Sequence, residues 1–336
     1  MTMDRPDPKP ASPALIALDW GTTSMRAFLF AVDGTVLESN AHAAGVMNLP
    51  RGGGAAAFDA AFEAACGAWL DATPGLPVLA AGMVGSAQGW REAPYVTAPV
   101  DANALAAGLI RVDAARGVPV AIVPGVLEAG ALPDVMRGEE TQIVGALAGD
   151  PALGGDGAGA LIGLPGTHAK WAWVRQGRIE RFRTYMTGEL FATLRDHTIL
   201  GRTMHAGAAA DLDAFRRGVD VARDSRDAGL LATIFSTRTL GLTGRLAPES
   251  QADYLSGLLI GHEMNALVAM LTSVGASLAA QPPRLIGDPA LCARYLTALR
   301  AFGCDGARVV ERATERGLWR IATQAGLVAT AACTPG

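Results

Sequence analysis

The sequence predicts a two-domain α/β protein in which each half begins with a β-meander. Three observations carry this reading. The chain has 336 residues, enough for two domains of about 100–200 residues each. An apolar run, a Gly-Thr loop, a strand, a tight glycine turn and a further strand occur near residue 15 and again near residue 160. A duplicated unit of this kind redefines a fold. The segments after each meander place apolar residues at helical spacing, most of all in the second half.

Composition narrows the class. Half of the residues are hydrophobic and 18% are charged, so a sizeable core is expected and disorder is not. A net charge of −4, a pI near 5.8 and the lack of a basic stripe speak against a nucleic-acid partner. No run approaches the roughly 18 uninterrupted apolar residues of a membrane span, and no membrane partner is expected. Residues 1–13 read as a disordered leader. Cys66, Cys292, Cys304 and Cys333 have no metal-ligand spacing, which suits a reducing cytoplasm. Of the 28 basic residues only Lys9 and Lys170 are lysine, which singles out the lysine inside the folded region.

In chain order, residues 14–18 form a strand apolar enough to be covered on both faces, ending at Asp19. Residues 25–32 form a second strand, Asp33-Gly34 a two-residue turn, and a third strand starts at 35. A Gly- and Pro-rich loop over 45–54 leads to a helix over 55–70, with Phe58, Phe62, Cys66 and Trp69 on one face. Strand 78–81 runs into the loop 82–91, and loops at strand ends carry binding groups. Strand 118–123 follows, then Asp134 to Gln142 opening an apolar helix over 143–148. The Gly/Asp-rich stretch 149–159 precedes a strand, whereas a dinucleotide-binding fingerprint follows one. The second meander comprises 160–164, the loop Pro165-Gly-Thr-His-Ala-Lys170, and strands 171–174 and 179–183 around Gln176-Gly177. Helices are expected over 188–203, 212–222, 229–239, 250–274, 293–301 and 311–328. Gly287-Asp-Pro places Asp288 at an N-cap and Pro289 at the first helical position. His262-Glu263 lacks the second histidine of a zinc-protease motif, because residue 266 is alanine.

The two Gly-Thr loops are either polar hairpin tips or a means of gripping polyphosphate without a P-loop. In the second case backbone N–H groups and hydroxyls bind oxygens, and a carboxylate holds Mg²⁺ through water. Asp19 is the natural carboxylate. Lys170, four residues after Gly166, is placed to meet phosphate charge, and His168 could bond a phosphate or cap the hairpin.

Leu18-Asp-Trp-Gly-Thr-Thr, Gly166-Thr-His-Ala-Lys-Trp and Leu285-Ile-Gly-Asp-Pro-Ala-Leu resemble, in order and spacing, the phosphate 1, phosphate 2 and adenosine motifs of the actin/Hsp70/sugar-kinase superfamily. Within it the chain resembles the 2-dehydro-3-deoxygalactonokinases along nearly its whole length. That likeness rests also on Asp134-Val-Met-Arg-Gly-Glu-Glu-Thr-Gln142, Met186-Thr-Gly-Glu-Leu190 and Tyr254-Leu-Ser-Gly-Leu-Leu-Ile-Gly-His-Glu263. The resemblance implies two ribonuclease H-like (actin-like ATPase) domains with a nucleotide cleft between them. Residues 14–143 would form the first, with a C-terminal helix over 316–333 packing back on it, and 144–315 the second, with the adenosine site. It implies ATP and Mg²⁺ as cofactors and phosphorylation of the terminal (6-) hydroxyl of 2-dehydro-3-deoxy-D-galactonate in galactonate catabolism. Gly21, Thr22, Thr23, Gly166, Thr167, His168, Gly287 and Asp288 would bind the nucleotide, with Asp19 the metal-side residue.

Many sugar kinases begin the second phosphate motif with an aspartate base, and here Leu164-Pro165 stand there. The base is therefore sought in Glu140, with Glu139 and Asp134 behind it, although acids at a helix head also answer its dipole. Phosphoryl transfer depends mostly on positioning and charge, so Asp19, the two loops and Lys170 should matter more. Arg26, Arg91 and Arg137 are candidates for the substrate carboxylate, because a guanidinium binds it with two parallel hydrogen bonds. Arg91 lies beside Gln88 and Trp90 in the loop where such kinases place substrate contacts. A kinase for a related keto-deoxy sugar acid, a polyphosphate or nucleotide phosphatase of the same fold, and a nucleotide-binding regulatory module stay open, as does a homodimer.

Overall fold

The structure, a computed structural model, describes residues 12–155, 159–206, 209–273 and 275–328. The expected leader lies outside these apart from Ser12 and Pro13, as do residues 329–333 of the expected last helix. The chain divides into two compact units, 1–155 with 177–180 and 312–336, and 156–176 with 181–311. The first unit thus runs on past residue 143.

The first unit opens with β1 (Pro13–Trp20), β2 (Met25–Ala31) and β3 (Val36–His42), followed by α1 (Gly54–Ala72) and β4 (Val78–Gly82). Next come β5 (Tyr95–Thr97), α2 (Ala102–Ala107), β6 (Ile110–Asp113), β7 (Pro119–Ile122), β8 (Gly125–Glu128), β9 (Asp134–Met136) and α3 (Glu139–Gly149). The main sheet has the order β3-β2-β1-β4-β7-β6, with β1, β4 and β7 parallel and the remaining pairs antiparallel. Strands β5, β8 and β9 form a small separate sheet.

The second unit contains β10 (Ala160–Leu164), β11 (Ala169–Arg175) and β12 (Arg178–Tyr185), then α4 (Thr187–His197), α5 (Leu212–Asp224), α6 (Gly229–Thr233) and α7 (Ser236–Leu242). It continues with α8 (Gln251–Ser273), β13 (Arg284–Leu285), α9 (Pro289–Ala301) and β14 (Arg308–Val309); α10 (Ala313–Gln324) belongs to the first unit. Its sheet order, β12-β11-β10-β13-β14, repeats the first: an antiparallel meander whose first strand is followed by two parallel neighbours. This is the ribonuclease H-like arrangement, present once in each unit.

Burial follows the apolar pattern. Leu15, Ile16, Ala17 and Leu18 of β1 are all fully buried, as expected for a strand covered on both faces. Phe58, Phe62, Cys66 and Leu70 turn one stripe of α1 into the core around β1 and β4. Burying a side chain of the Phe or Leu type contributes about 1.5–3 kcal/mol, so this stripe fixes α1 on the sheet. Helix α10 approaches α3 backbone to backbone: a methyl group on Gly145 would lie 1.7 Å from the Ala313 carbonyl oxygen. One expectation needs refinement. Helix α8, with the turn before it, is long and apolar enough by length and mean hydropathy to cross a membrane. Its apolar faces are instead taken up by clusters that include Leu255, Leu258, Met264, Leu267 and Leu271.

Candidate active site

The tip between β1 and β2 is built by its carbonyl groups. Gly21 N–H donates to the Ser24 carbonyl at 2.8 Å, which closes the turn. The segment after β3 then caps the other carbonyls: Val46 N–H donates to Gly21 O at 3.0 Å and Met47 N–H to Thr22 O at 2.9 Å. Asn48 Nδ2 donates to Thr23 O at 2.7 Å. Among the described residues, the Thr22 and Thr23 N–H groups donate to nothing, and both residues are exposed. Successive unpaired N–H groups at a turn are the feature from which anion-binding concavities are made.

Asp19 ends β1 directly opposite Arg26 in the β1–β2 register. Its Oδ2 accepts from Arg26 Nη2 at 2.6 Å and from Nε at 3.2 Å. Arg26 Nη2 also donates to Thr314 Oγ1 at 3.2 Å. Arg26, a sequence candidate for the substrate carboxylate, is thus already committed to Asp19. Asp19 Oδ1 keeps no protein donor among the described residues, and no group of three His, Cys, Asp or Glu there could hold a metal. This donor set fits an ion that keeps most of its waters and takes further oxygens from phosphate, the habit of Mg²⁺.

The second tip repeats the logic with different parts. Glu189 N–H donates to Thr167 O at 3.0 Å and Lys170 Nζ to His168 O at 3.1 Å, while Gly166 and Thr167 N–H groups make no bond among the described residues. Lys170 pairs with Leu164 in the β10–β11 register and is only 5% exposed, bracing the tip from beneath. His168 Nε2 is bonded to Glu189 Oε2. Helix α4 sits so close that a methyl group on Gly188 would fall 2.5 Å from the Gly166 carbonyl oxygen. Buried Glu263 anchors the start of α4, accepting from Thr187 Oγ1 at 2.5 Å, Trp171 Nε1 at 2.7 Å and Tyr295 OH at 2.8 Å. Burial pushes the Glu263 carboxyl above its ordinary range, against the pull of these three donors. Gly287 lies 3.1 Å, measured from an added methyl, from the Pro165 carbonyl oxygen, and Asp288 caps α9 through Leu291 N–H at 3.0 Å. Beside them a cleft of about 340 Å³ is lined by Gly166, Gly188, Phe191, Leu291, Arg294 and Tyr295, among others.

The acidic cluster separates. Asp134 is on β9, not at a helix head, because α3 starts only after the Gly138 turn (φ 105°), and Asp134 bonds the neighbouring Val135 N–H at 2.8 Å. Glu139 and Glu140 do open α3 and curl back on that turn. Glu139 Oε2 accepts from Arg137 N–H at 3.0 Å, and Glu140 Oε2 from Gly138 N–H at 2.7 Å. Glu140 Oε1 accepts from Thr141 Oγ1 at 3.0 Å. Glu140 is 0% exposed and Glu139 half-buried, so the order of exposure is the reverse of the order of preference drawn from the sequence. Burial, with the Glu139 charge next, pushes the Glu140 carboxyl up to about 7.

The substrate-loop residues also part company. Trp90 turns inward and packs its ring on Phe62, Trp20 and Phe58 at centroid distances of 5.7, 5.9 and 6.1 Å. Gln88 and Arg91 are exposed. Arg137 lies over the Tyr95 ring at 4.5 Å and donates to the Ala93 carbonyl at 2.7 Å. A cleft of about 330 Å³ brings Gln88 and Trp90 together with Val46, Met47 and Phe58, and Arg91 does not line it.

Comparison with known proteins decides the family. The family model for 2-keto-3-deoxy-galactonokinase matches residues 19–321. The chain belongs to that family. It is 37% identical over 301 residues to a probable 2-dehydro-3-deoxygalactonokinase of Rhizobium meliloti (strain 1021), covering 86% of this chain and 90% of the relative. It is 35% identical over 309 residues to the 2-dehydro-3-deoxygalactonokinase of Escherichia coli (strain K12), covering 91% and 97%. The crystal structure of a candidate 2-dehydro-3-deoxygalactonokinase from Sinorhizobium meliloti superposes with a TM-score of 0.77 at 34% identity, covering 92% of this chain and 98% of that one.

In this member of the galactonokinase family, sequence reasoning passed over three groups. The Glu263–Thr187–Tyr295–Trp171 network was missed because its members lie far apart in the chain. Its one local signal was Thr187-Gly188 directly before an apolar helical pattern. Residues 45–48, which tie the first tip, read only as loop. Arg51, in the glycine-rich stretch before α1, carried no motif at all.

Proposed function

We propose that this chain transfers the γ-phosphoryl group of ATP to the terminal (6-) hydroxyl of 2-dehydro-3-deoxy-D-galactonate. The observation that carries the phosphoryl-transfer part is what the two Gly-Thr tips share: the Gly21, Thr22 and Thr23 carbonyls in one and the Thr167 and His168 carbonyls in the other are tied back, while the N–H groups of Thr22, Thr23, Gly166 and Thr167 make no bond among the described residues. The substrate rests on the names of relatives aligned over most of the chain. Thr22 and Thr23 of the first tip would donate to phosphate oxygens, as would Gly166 and Thr167 of the second. The cleft beside Gly166 and α9 suits the adenosine, with Gly287 keeping the backbone low beside Pro165.

Asp19 would hold Mg²⁺ through water by its Oδ1, with Arg26 fixing the other oxygen. Bound there, the ion would neutralise charge on the phosphates. Transfer through a loose transition state asks mainly for placement and charge. Lys170 supports the second tip and lends it positive charge. Glu139, half-buried at the head of α3, would accept the hydroxyl proton of the sugar. Glu140 positions it by holding the Gly138 turn. Cytoplasmic residence is supported by the free, buried thiols of Cys66, Cys292 and Cys304.

The test is coupled ADP release with and without 2-dehydro-3-deoxy-D-galactonate. Release that depends on the acid, with one phosphate appearing on the product, is expected. Equal release without the acid would overturn the kinase reading in favour of a phosphatase of the same fold.

A further inference from the structure

The cleft over α1 contains a cation that no motif marks. Among its lining residues Arg51 is the one charged group, and the wall otherwise consists of apolar side chains, glycines and Gln88. Arg51 is exposed and makes no ion pair or hydrogen bond among the described residues, unlike Arg26, which is bonded to Asp19, and Arg137, which is bonded to Ala93. Gln88 is also exposed and makes no such bond.

The position of the cleft gives this cation a task. Val46 and Met47 line it, and their backbone N–H groups tie the carbonyls of Gly21 and Thr22. Val46 and Met47 therefore adjoin both this cleft and the first Gly-Thr tip. Phe58 and Trp90, only 7% and 9% exposed, line it as part of an apolar floor for a carbon chain. The volume, about 330 Å³, falls at the small end of ligand pockets, which run from about 300 to 1,000 Å³. A small polyol with one anionic end matches this lining: carbon chain on the apolar floor, anion on the guanidinium.

We infer that Arg51, with Gln88 beside it, binds the carboxylate of the sugar acid and sets the preference of the enzyme for acids over neutral sugars. The assignment rests on the kinase reading above and adds to it the residue that reads the carboxylate. A guanidinium matches a carboxylate with two parallel N–H···O bonds. The Gln88 amide donates to a further lone pair of either oxygen.

The experiment compares wild type, Arg51→Gln and Arg51→Lys on 2-dehydro-3-deoxy-D-galactonate and on its primary amide, which keeps the chain and loses the charge. Arg51→Gln is expected to raise KM for the acid by about tenfold to a hundredfold, the range for a charged hydrogen-bonded contact. KM for ATP and KM for the amide should stay within about threefold, inside the scatter of an exposed substitution. Arg51→Lys should fall between, since it keeps the charge without the fork. Equal losses on acid and amide, or an unchanged acid-to-amide ratio in a variant with wild-type melting behaviour, would overturn the assignment. If the unaltered enzyme phosphorylates neither compound, the kinase reading itself fails, and this assignment with it.

Discussion

Replacing Glu140 by Gln should make the protein more stable at alkaline pH and leave it unchanged at acid pH. The ordinary carboxyl value is 4.5, and burial with the Glu139 charge pushes Glu140 to about 7 in the folded chain. Below 4.5 both states hold the proton and nothing is lost. Between 4.5 and 7 the unfolded chain has released it while the folded chain keeps it, so stability falls by about 1.4 kcal/mol per pH unit. Above 7 both states are ionised, and the loss levels off at about 3 kcal/mol. Glutamine keeps an oxygen for the Gly138 N–H, and its amide can donate to a rotated Thr141 hydroxyl, so both contacts survive without the ionisation. For a unit of this size about 3 kcal/mol amounts to roughly 6–12 °C in melting temperature. Thermal melts of both proteins at half-unit steps from pH 4.5 to 8.5 check this. The curves should meet near pH 4.5 and separate upward, with the variant higher. A difference that stays constant across that range would refute the reasoning, because a merely structural effect of the substitution does not titrate.

Two further outcomes follow from the phosphate tips. Asp19→Asn should lower kcat by about a hundredfold or more, the scale on which losing a charge-stabilising group acts, with KM for the sugar acid little changed; a loss below about tenfold in steady-state assays would remove Asp19 from the metal side. Gly188→Ala should raise KM for ATP in the same assay, since its methyl would meet the Gly166 carbonyl oxygen at 2.5 Å and must displace the second tip, while leaving KM for the sugar acid near its original value.

The sheets were legible because their determinants are local. Consecutive apolar residues bounded by glycine define β1 and β10, Asp33-Gly34 and Gln176-Gly177 mark turns, and Gly-Asp-Pro announces the N-cap of α9. The Asp19–Arg26 pair was within reach as well, because the hairpin register sets the two residues opposite each other. Asp134 was misplaced because acids before an apolar helical pattern look like a helix head, and only the backbone shows that the turn at Gly138 comes between. Trp90 read as a substrate-contact candidate of the loop 82–91 because its partners, Phe58 and Phe62, belong to another element. The deeper lesson concerns the tips themselves. Gly, Thr and Ser are common in any turn, and their presence does not separate a polar tip from a phosphate site. What separates them is where the carbonyls go. In the first tip they go to residues 46–48, and in the second Thr167 gives its carbonyl to Glu189 and His168 to Lys170. With these carbonyls occupied, each tip is left with unpaired N–H groups among the described residues, the pattern on which the proposed phosphate contacts rest. In the first tip the ties to the carbonyls come from residues 46–48, outside the hairpin, and in the second from Glu189 outside it and from Lys170 on β11, so the loop residues alone do not set the arrangement.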